Sequence, residues 1–397
     1  TMASAGSYAP AEKELKQGGE DSKMDSEEPG DDRRSLRDSM ISTDMFPDSL
    51  AVFEPCSYVV VGCSAISGNH WCGQLVLASS SSSDADNHNE NSAKLSIIQK
   101  VDHVTGVTDV EFAGRTKTPL LLASGDNGII QCWQTSGNDK TPIVPTPACA
   151  LHGHGDIITS LSVARSFGTE NAEKKQSGDC GTALLSSSWD RTIKLWDLAA
   201  SAVAVSSWNG HPDHVSQVKW SGLDPCTFAS GGKGGYVLHW DTRQKDPTGG
   251  IRLDSGVECT AIDTHPTLGH VLLYGTSEGV VREVDMRAWK PKKDDTVATH
   301  GQAVTCLRYS PDGRRVASAA EDNTLVVVQS IMAASGKQDD AKSSGSEKGT
   351  TKDGTAANSC QTLNDLVSAI EWTRPLREGA SSLLFSAWDK SVRARAA

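Results

Sequence analysis

A chain of 397 residues has room for one large domain or two ordinary ones, and 37% hydrophobic content suits narrow sheets joined by polar segments. The formal net charge of −12 argues against a nucleic-acid or anionic-membrane surface, both of which need clustered Lys and Arg, and is compatible with basic partners. Ten cysteines stand singly with no CxxC pair, which removes zinc-finger spacing and predicts reduced, mostly buried thiols. With no secretory signal and no apolar run of membrane-spanning length in view, a soluble intracellular protein is expected.

Residues 1–47 are polar and acidic. Stretches such as GGEDSKMDSEEPGDD cannot bury enough surface to offset ordering entropy, so a disordered tail is predicted. Beyond it the sequence repeats with a period of 44 residues. Trp196, Trp240, Val284 and Val328 each end an alternating apolar strand, and Asp197, Asp241, Asp285 and Gln329 follow them. A Trp-Asp ending at this period marks one four-stranded sheet per repeat, and a single such sheet cannot bury both faces. The expected fold is therefore all-β: a seven-bladed WD-repeat β-propeller over residues 48–397. The blades begin near Leu50, Val101, His152, Gly210, Ser255, Thr299 and Leu363. Polar insertions are expected near 79–98, 167–182 and 333–359, where Ser, Gly, Asp and Lys crowd together. The chain ends after the third strand of the last blade, so the outermost strand should come from the N-terminal side, near residues 41–50.

Six residues before each strand-ending anchor a tight turn is expected, at Asn127, Asp190, Gly234, Glu278, Asp322 and Asp389. Upstream, Gly153-His154 and Gly210-His211 recur, and His300-Gly301 is the reversed form. Read by the repeat pattern, His154, Ser186, Asp190 and Trp196 form the one complete hydrogen-bonded set of this repeat class, and the other blades are degenerate. The HxH at His152 and His154 and the HxxH at His211 and His214 lack further metal partners, so blade-turn hydrogen bonding is their expected use. No nucleophile elbow, HExxH, P-loop or dinucleotide fingerprint is present. No catalytic residue, metal or cofactor is assigned, and the protein is not expected to be an enzyme.

One join departs from the repeat. In the first blade the second and third strands are linked by Ser67, Gly68, Asn69, His70, Trp71, Cys72 and Gly73, read as a Gly-bracketed loop that lifts an indole above the sheet. An exposed Trp is costly unless a partner covers it, and Trp is enriched among interface hot spots. The segments VVVGCSAISGNHWCGQLVLA, GVTDVEFAGRTKTPLLLASGDNGIIQCW, LLSSSWDRTIKLWDLA and LLFSAWDKSV together resemble the methylosome protein 50 family. Those proteins are the WD-repeat subunits that partner the symmetric-dimethylating protein arginine methyltransferase. The resemblance implies a non-catalytic adaptor, cytoplasmic and nuclear, assembled with the methyltransferase as a hetero-octamer. It also implies help in presenting Arg-rich substrates such as Sm proteins and histones. In the family the Trp of this loop inserts into the methyltransferase. That assigns Trp71 as the anchor, with Ser67, Gly68, Asn69 and His70 shaping its loop and Cys72 returning the chain to the sheet. The rival expectation is a WD-repeat substrate receptor of a ubiquitin ligase or a histone-tail reader, which would use the channel mouth instead.

Overall fold

A computed structural model of the chain describes residues 39–53, 58–68, 70–81, 94–114, 119–136, 142–164, 183–199, 202–290, 295–335, 359–373 and 382–396. Contacts divide the chain into Thr1–Ser35 and Leu36–Ala397, and every described residue lies in the second unit. The expected insertion at 167–182 lies outside the described residues, as does most of the expected tail.

The described chain forms seven four-stranded antiparallel sheets. Blade 1 is β2 (Phe46–Phe53), β3 (Tyr58–Ser67), β4 (His70–Ser81) and β5 (Lys94–His103). Blade 2 is β6 (Val107–Ala113), β7 (Leu120–Gly125), β8 (Ile129–Gln134) and β9 (Cys149–His152). Blade 3 is β10 (Ile158–Val163), β11 (Ala183–Ser188), β12 (Ile193–Asp197) and β13 (Ser206–Trp208). Blade 4 is β14 (Val215–Trp220), β15 (Thr227–Gly232), β16 (Tyr236–Asp241) and β17 (Gly249–Arg252). Blade 5 is β18 (Cys259–Thr264), β19 (Val271–Thr276), β20 (Val280–Asp285) and β21 (Thr296–Thr299). Blade 6 is β22 (Val304–Tyr309), β23 (Arg315–Ala320), β24 (Thr324–Gln329) and β25 (Ser359–Thr362), with the short helix α1 (Ile331–Ser335) after β24. Blade 7 is β26 (Val367–Thr373), β27 (Ser382–Ala387) and β28 (Ser391–Ala396), completed by β1 (Ser39–Ser42).

Ring closure comes from the N-terminal side, as expected, through β1, which meets the 41–50 window at Ile41 and Ser42 and begins two residues before it. Ile41 pairs with Val392 and Ser42 with Ser391, while Phe46 begins the innermost strand of blade 1. Strands Ser39–Ser42 and Phe46–Phe53 both draw on residues of the expected 1–47 tail. The apolar alternation of residues 39–53 is interrupted by polar residues, which hid the four-residue β1 ahead of the eight-residue β2. The 79–98 insertion also shrinks: Ser81 pairs with Lys94, and β5 supplies the outer strand of blade 1. Residues at both ends of the 333–359 insertion belong to α1 and β25.

The innermost strands β2, β6, β10, β14, β18, β22 and β26 touch in cyclic order, and β26 meets β2 to close the ring. Seven apolar clusters fill the seven junctions. Leu50, Val61, Leu384 and Val392 share the 7/1 junction, and Leu185, Val218, Phe228 and Trp240 share the 3/4 junction. Second strands such as LLLASG in β7 and RVASAA in β23 are almost wholly buried, because each is covered by a blade on either side.

Every innermost strand carries a bulge just after its start, as between Val107 and Asp109 or Val367 and Ala369. Thr108, Thr159, Ser216, Thr260, Thr305 and Ser368 stand at the bulges of blades 2 to 7, and Asp48 at that of blade 1. A bulge leaves a residue unpaired and re-aims it. Several of these hydroxyls use that freedom to bond the neighbouring blade: Thr159 Oγ1 donates to Val215 O (2.8 Å), Thr305 Oγ1 to Val367 O (2.8 Å) and Ser368 Oγ to Pro47 O. Carboxylates add to the set, since Asp109 Oδ2 accepts from Leu161 N–H and Asp263 Oδ2 from Tyr309 N–H, both at 2.8 Å. The junctions are therefore apolar inside and polar along the innermost strands.

Candidate partner-docking site

The join read as a long loop is a long hairpin. β3 has 10 residues and β4 has 12, whereas the equivalent β7 and β8 have 6 each. The ladder continues through Ser64↔Gly73, Ala65↔Cys72, Ile66↔Trp71 and Ser67↔His70. Gly68, at φ 63, then takes up the left-handed conformation of a two-residue turn. Asn69 lies outside the described residues. The physical reason is local: an apolar/polar alternation on both sides of Gly68-Asn69 extends the ladder instead of breaking it.

Trp71 is 52% exposed and Ile66 is 64% exposed. Directly opposed residues share one face of a sheet, so the indole and the sec-butyl chain form one apolar tip. Ser67 and His70 are exposed at its end, and Cys72 is half-buried, its thiol donating to Ala65 O at 3.3 Å. The sequence reading missed Ile66. Its signal was available, because a two-residue turn at Gly68-Asn69 forces it opposite Trp71.

The base of the hairpin is braced. A Cβ on Gly73 would lie 2.2 Å from Thr105 O, so only glycine lets β4 cross the 104–106 connection there. A Cβ on Gly106 would lie 3.5 Å from Trp71 Cβ, which seats the indole's root on that connection. Ser64 Oγ both accepts from Val107 N–H (3.0 Å) and donates to Val107 O (3.1 Å). Asp48, beside Ser64 and the Trp388 indole, has its carboxyl pushed up to about 6 by burial, which outweighs the hydrogen bonds from those two side chains. Other aromatic groups line the same edge formed by second-to-third-strand turns. Phe46 lies 6.1 Å from Trp388, and Trp189 stacks on His214 at 4.9 Å with Lys233 Nζ 5.3 Å from its ring.

The structure brings the four residues of the blade 3 set together. Trp196 Nε1–H donates to Ser186 Oγ (2.8 Å), Ser186 Oγ meets His154 Nε2 (2.7 Å), and His154 Nδ1 meets Asp190 Oδ2 (2.8 Å). A carboxylate only accepts, so Nδ1 carries the proton; in the neutral ring Nε2 then accepts from the Ser186 hydroxyl. Burial by itself raises the Asp190 carboxyl, but donors from His154, Thr192 and Gly155 N–H hold it well below the usual carboxylate range. The degenerate blades show which parts are missing. In blade 4, His211, Ser230 and Trp240 form the same chain, yet Gly234 stands at the turn and His211 Nδ1 has no partner among the described residues. In blade 6, His300 reaches Ser318 (2.8 Å), but Val328 replaces the indole. In blade 2, Ala123 stands where Ser186 does, and both Trp133 Nε1 and His103 Nε2 are buried without partners among the described residues. His154 and His211 are thus engaged in blade structure. Among the described residues no group of three or more His, Cys, Asp or Glu could hold a metal ion.

Comparison with known proteins agrees with the architecture. The WD domain, G-beta repeat, matches residues 145–197 and 292–328. The first match runs from the outer strand of blade 2 through β12, so the sequence repeat is offset from the blade by one strand. The methylosome protein WDR77 of Xenopus laevis is 30% identical over 227 residues, 56% of this chain and 61% of that protein. The protein SPA1-related 3 of Arabidopsis thaliana is 29% identical over 154 residues, 38% of this chain and 18% of that protein. The protein lethal(2)denticleless of Drosophila melanogaster is 38% identical over 145 residues, 36% of this chain and 17% of that protein. The chain spans less than two thirds of the length of each of these relatives. Seven four-stranded blades, the Trp196 network and the repeat match identify it as a WD-repeat β-propeller.

Proposed function

We propose that this chain is a non-catalytic adaptor subunit of a protein arginine methyltransferase complex, docked through the blade 1 hairpin. The observation that carries the reading is the exposed pair Trp71 and Ile66 on a hairpin whose base is fixed by Gly73, Gly106 and Ser64. The similarity to a methylosome protein supports the choice of partner. The net charge of −12 supports a second task, raising the local concentration of Arg-rich substrates such as Sm proteins and histones. The proposed assembly is a hetero-octamer of four adaptors and four enzymes, in cytoplasm and nucleus.

The test is a binding titration of the full chain against the symmetric-dimethylating methyltransferase. Truncating a Trp hot spot costs about 2 kcal/mol or more, roughly 30-fold in Kd. Trp71→Ala is expected to weaken binding by at least that factor while the melting temperature stays unchanged, and Ile66→Ala to weaken it less. Unchanged affinity for Trp71→Ala removes the anchor. Recovery of ubiquitin-ligase components or histone tails alone from native extract, with no methyltransferase, removes the adaptor reading in favour of a substrate receptor or tail reader.

A further inference from the structure

Of the eight described cysteines, all carry free thiols, and two face each other. Cys132 in β8 and Cys149 in β9 are direct Cα partners. Opposed residues in an antiparallel pair have Cα spacings of about 4.5 or 5.5 Å. Both values fall inside the roughly 4.4–6.8 Å that a disulfide spans. Opposed side chains leave the sheet on the same face, which sets the Cys149 thiol beside that of Cys132. Their surroundings differ sharply. Cys132 is fully buried in the core between blades 2 and 3, beside Ile130, Leu151 and Trp196, while Cys149 is exposed at the start of the outermost strand. Burial, and then the adjacent Cys149, push the Cys132 thiol far above the usual range, so the exposed thiol is the one that meets an oxidant first.

We propose that Cys132 and Cys149 form a redox modification site that hydrogen peroxide closes into a cross-strand disulfide. In the first step the Cys149 sulfur attacks one peroxide oxygen, the O–O bond breaks, and Cys149 becomes a sulfenic acid as one water leaves. In the second the Cys132 sulfur attacks the Cys149 sulfur. The S–S bond forms, the S–O bond breaks, and the departing hydroxide takes the Cys132 proton to give the second water. Two thiols lose two electrons and one peroxide is reduced to two waters. β9 has only 4 residues, so the new bond ties the short outer strand of blade 2 to its neighbour. It also closes the intervening segment, which contains Trp133 and Ile143, into a loop. This site is independent of what docks at Trp71.

The experiment uses the full reduced chain, treated with hydrogen peroxide and digested without reductant. The expected product is one linked pair of peptides holding Cys132 and Cys149, two hydrogens lighter than the thiol forms and separated again by dithiothreitol. Cys149→Ser, at an exposed position, should give no such pair. Cys132→Ala should leave a Cys149 sulfenic acid that dimedone captures in larger yield than in the parent. If that buried variant does not fold, the parent and Cys149→Ser alone decide. Cys149 over-oxidised beside a free Cys132, or linked to Cys360 or to a second chain, overturns the proposal.

Discussion

The degenerate blades offer a reciprocal test of what holds the repeat together. Ser186 Oγ serves two buried nitrogens at once, Trp196 Nε1 and His154 Nε2. Ser186→Ala leaves both without a partner in a site closed to solvent. An orphaned buried polar group costs about 1–3 kcal/mol, and the hydroxyl's own burial is relieved, so a net loss of about 2–4 kcal/mol is expected. Blade 2 already is that variant: Ala123 occupies the position, and Trp133 Nε1 and His103 Nε2 are the orphans. Ala123→Ser therefore restores one hydroxyl to two waiting groups. The gain must be smaller than the loss in blade 3, because the site has closed in. Ring centroids of His103 and Trp133 are 5.5 Å apart, against 6.4 Å for His154 and Trp196 and 6.3 Å for His211 and Trp240. Pushing two packed rings apart by that difference cancels part of the hydrogen-bond gain and leaves roughly 1 kcal/mol. The unfolding entropy grows with length, so a unit running from Leu36 to Ala397 shifts by only about 1–2 °C per kcal/mol; Ser186→Ala should melt roughly 3–6 °C below the parent and Ala123→Ser about 1–2 °C above it. Differential scanning calorimetry reads both. A Ser186→Ala shift under about 1 °C, or a lower melting temperature for Ala123→Ser, refutes the claim that hydroxyl satisfaction separates complete from degenerate blades.

Gly73→Ala should destabilise by roughly 1–3 kcal/mol, since its Cβ meets the Thr105 carbonyl and not a yielding side chain; it should also weaken methyltransferase binding by displacing the hairpin, read in the titration above. Burial brings His211 down to about 4 from 6.5. The unfolded chain therefore binds the extra proton between those values, and this contribution is complete above pH 6.5 and lost as pH falls to about 4. It amounts to about 3 kcal/mol, and His211→Gln should remove that slope from urea melts taken across the range. Asp48 has the opposite sign: the folded side chain keeps its proton to about 6 while the unfolded one releases it near 3.8, so stability falls as pH rises between them. Asp48→Asn should be more stable than the parent at pH 7 by about 3 kcal/mol, and equal stability at that pH would count against the burial argument.

The propeller was legible because its period is written in large buried residues. Trp196 and Trp240 each close a strand at a 44-residue interval, and both are buried against the next blade. The Trp196 network was legible for the same reason, since each member is a distinct polar type at a fixed offset. What escaped the sequence lacked such signals. The bulges show only as a Ser or Thr near the start of six innermost strands and as Asp48 in the seventh, and those residues are common everywhere. β1 has 4 residues and pairs with β28 across almost the whole chain, so no local pattern announces it. Ala123 reads as an ordinary buried residue until two unpartnered nitrogens are found around it.

The hairpin was misread for a reason that bears on its use. Counting Ser67 to Gly73 as a loop assumed that a Trp between glycines must sit in irregular chain. The two glycines do separate jobs. Gly68 supplies the left-handed turn, and Gly73 lets the strand pass the 104–106 connection at a distance no side chain tolerates. Between them the ladder is intact, so Trp71 is held by paired backbone on one side and by Gly106 beneath. A flexible loop would have to be ordered when a partner covers the indole, and each immobilised side chain costs roughly 0.5–1.5 kcal/mol. Here most of that ordering is already present in the free protein. A tip that is both exposed and preorganised is what an anchor residue requires, so the docking proposed at Trp71 and Ile66 would lose little free energy to ordering of the hairpin.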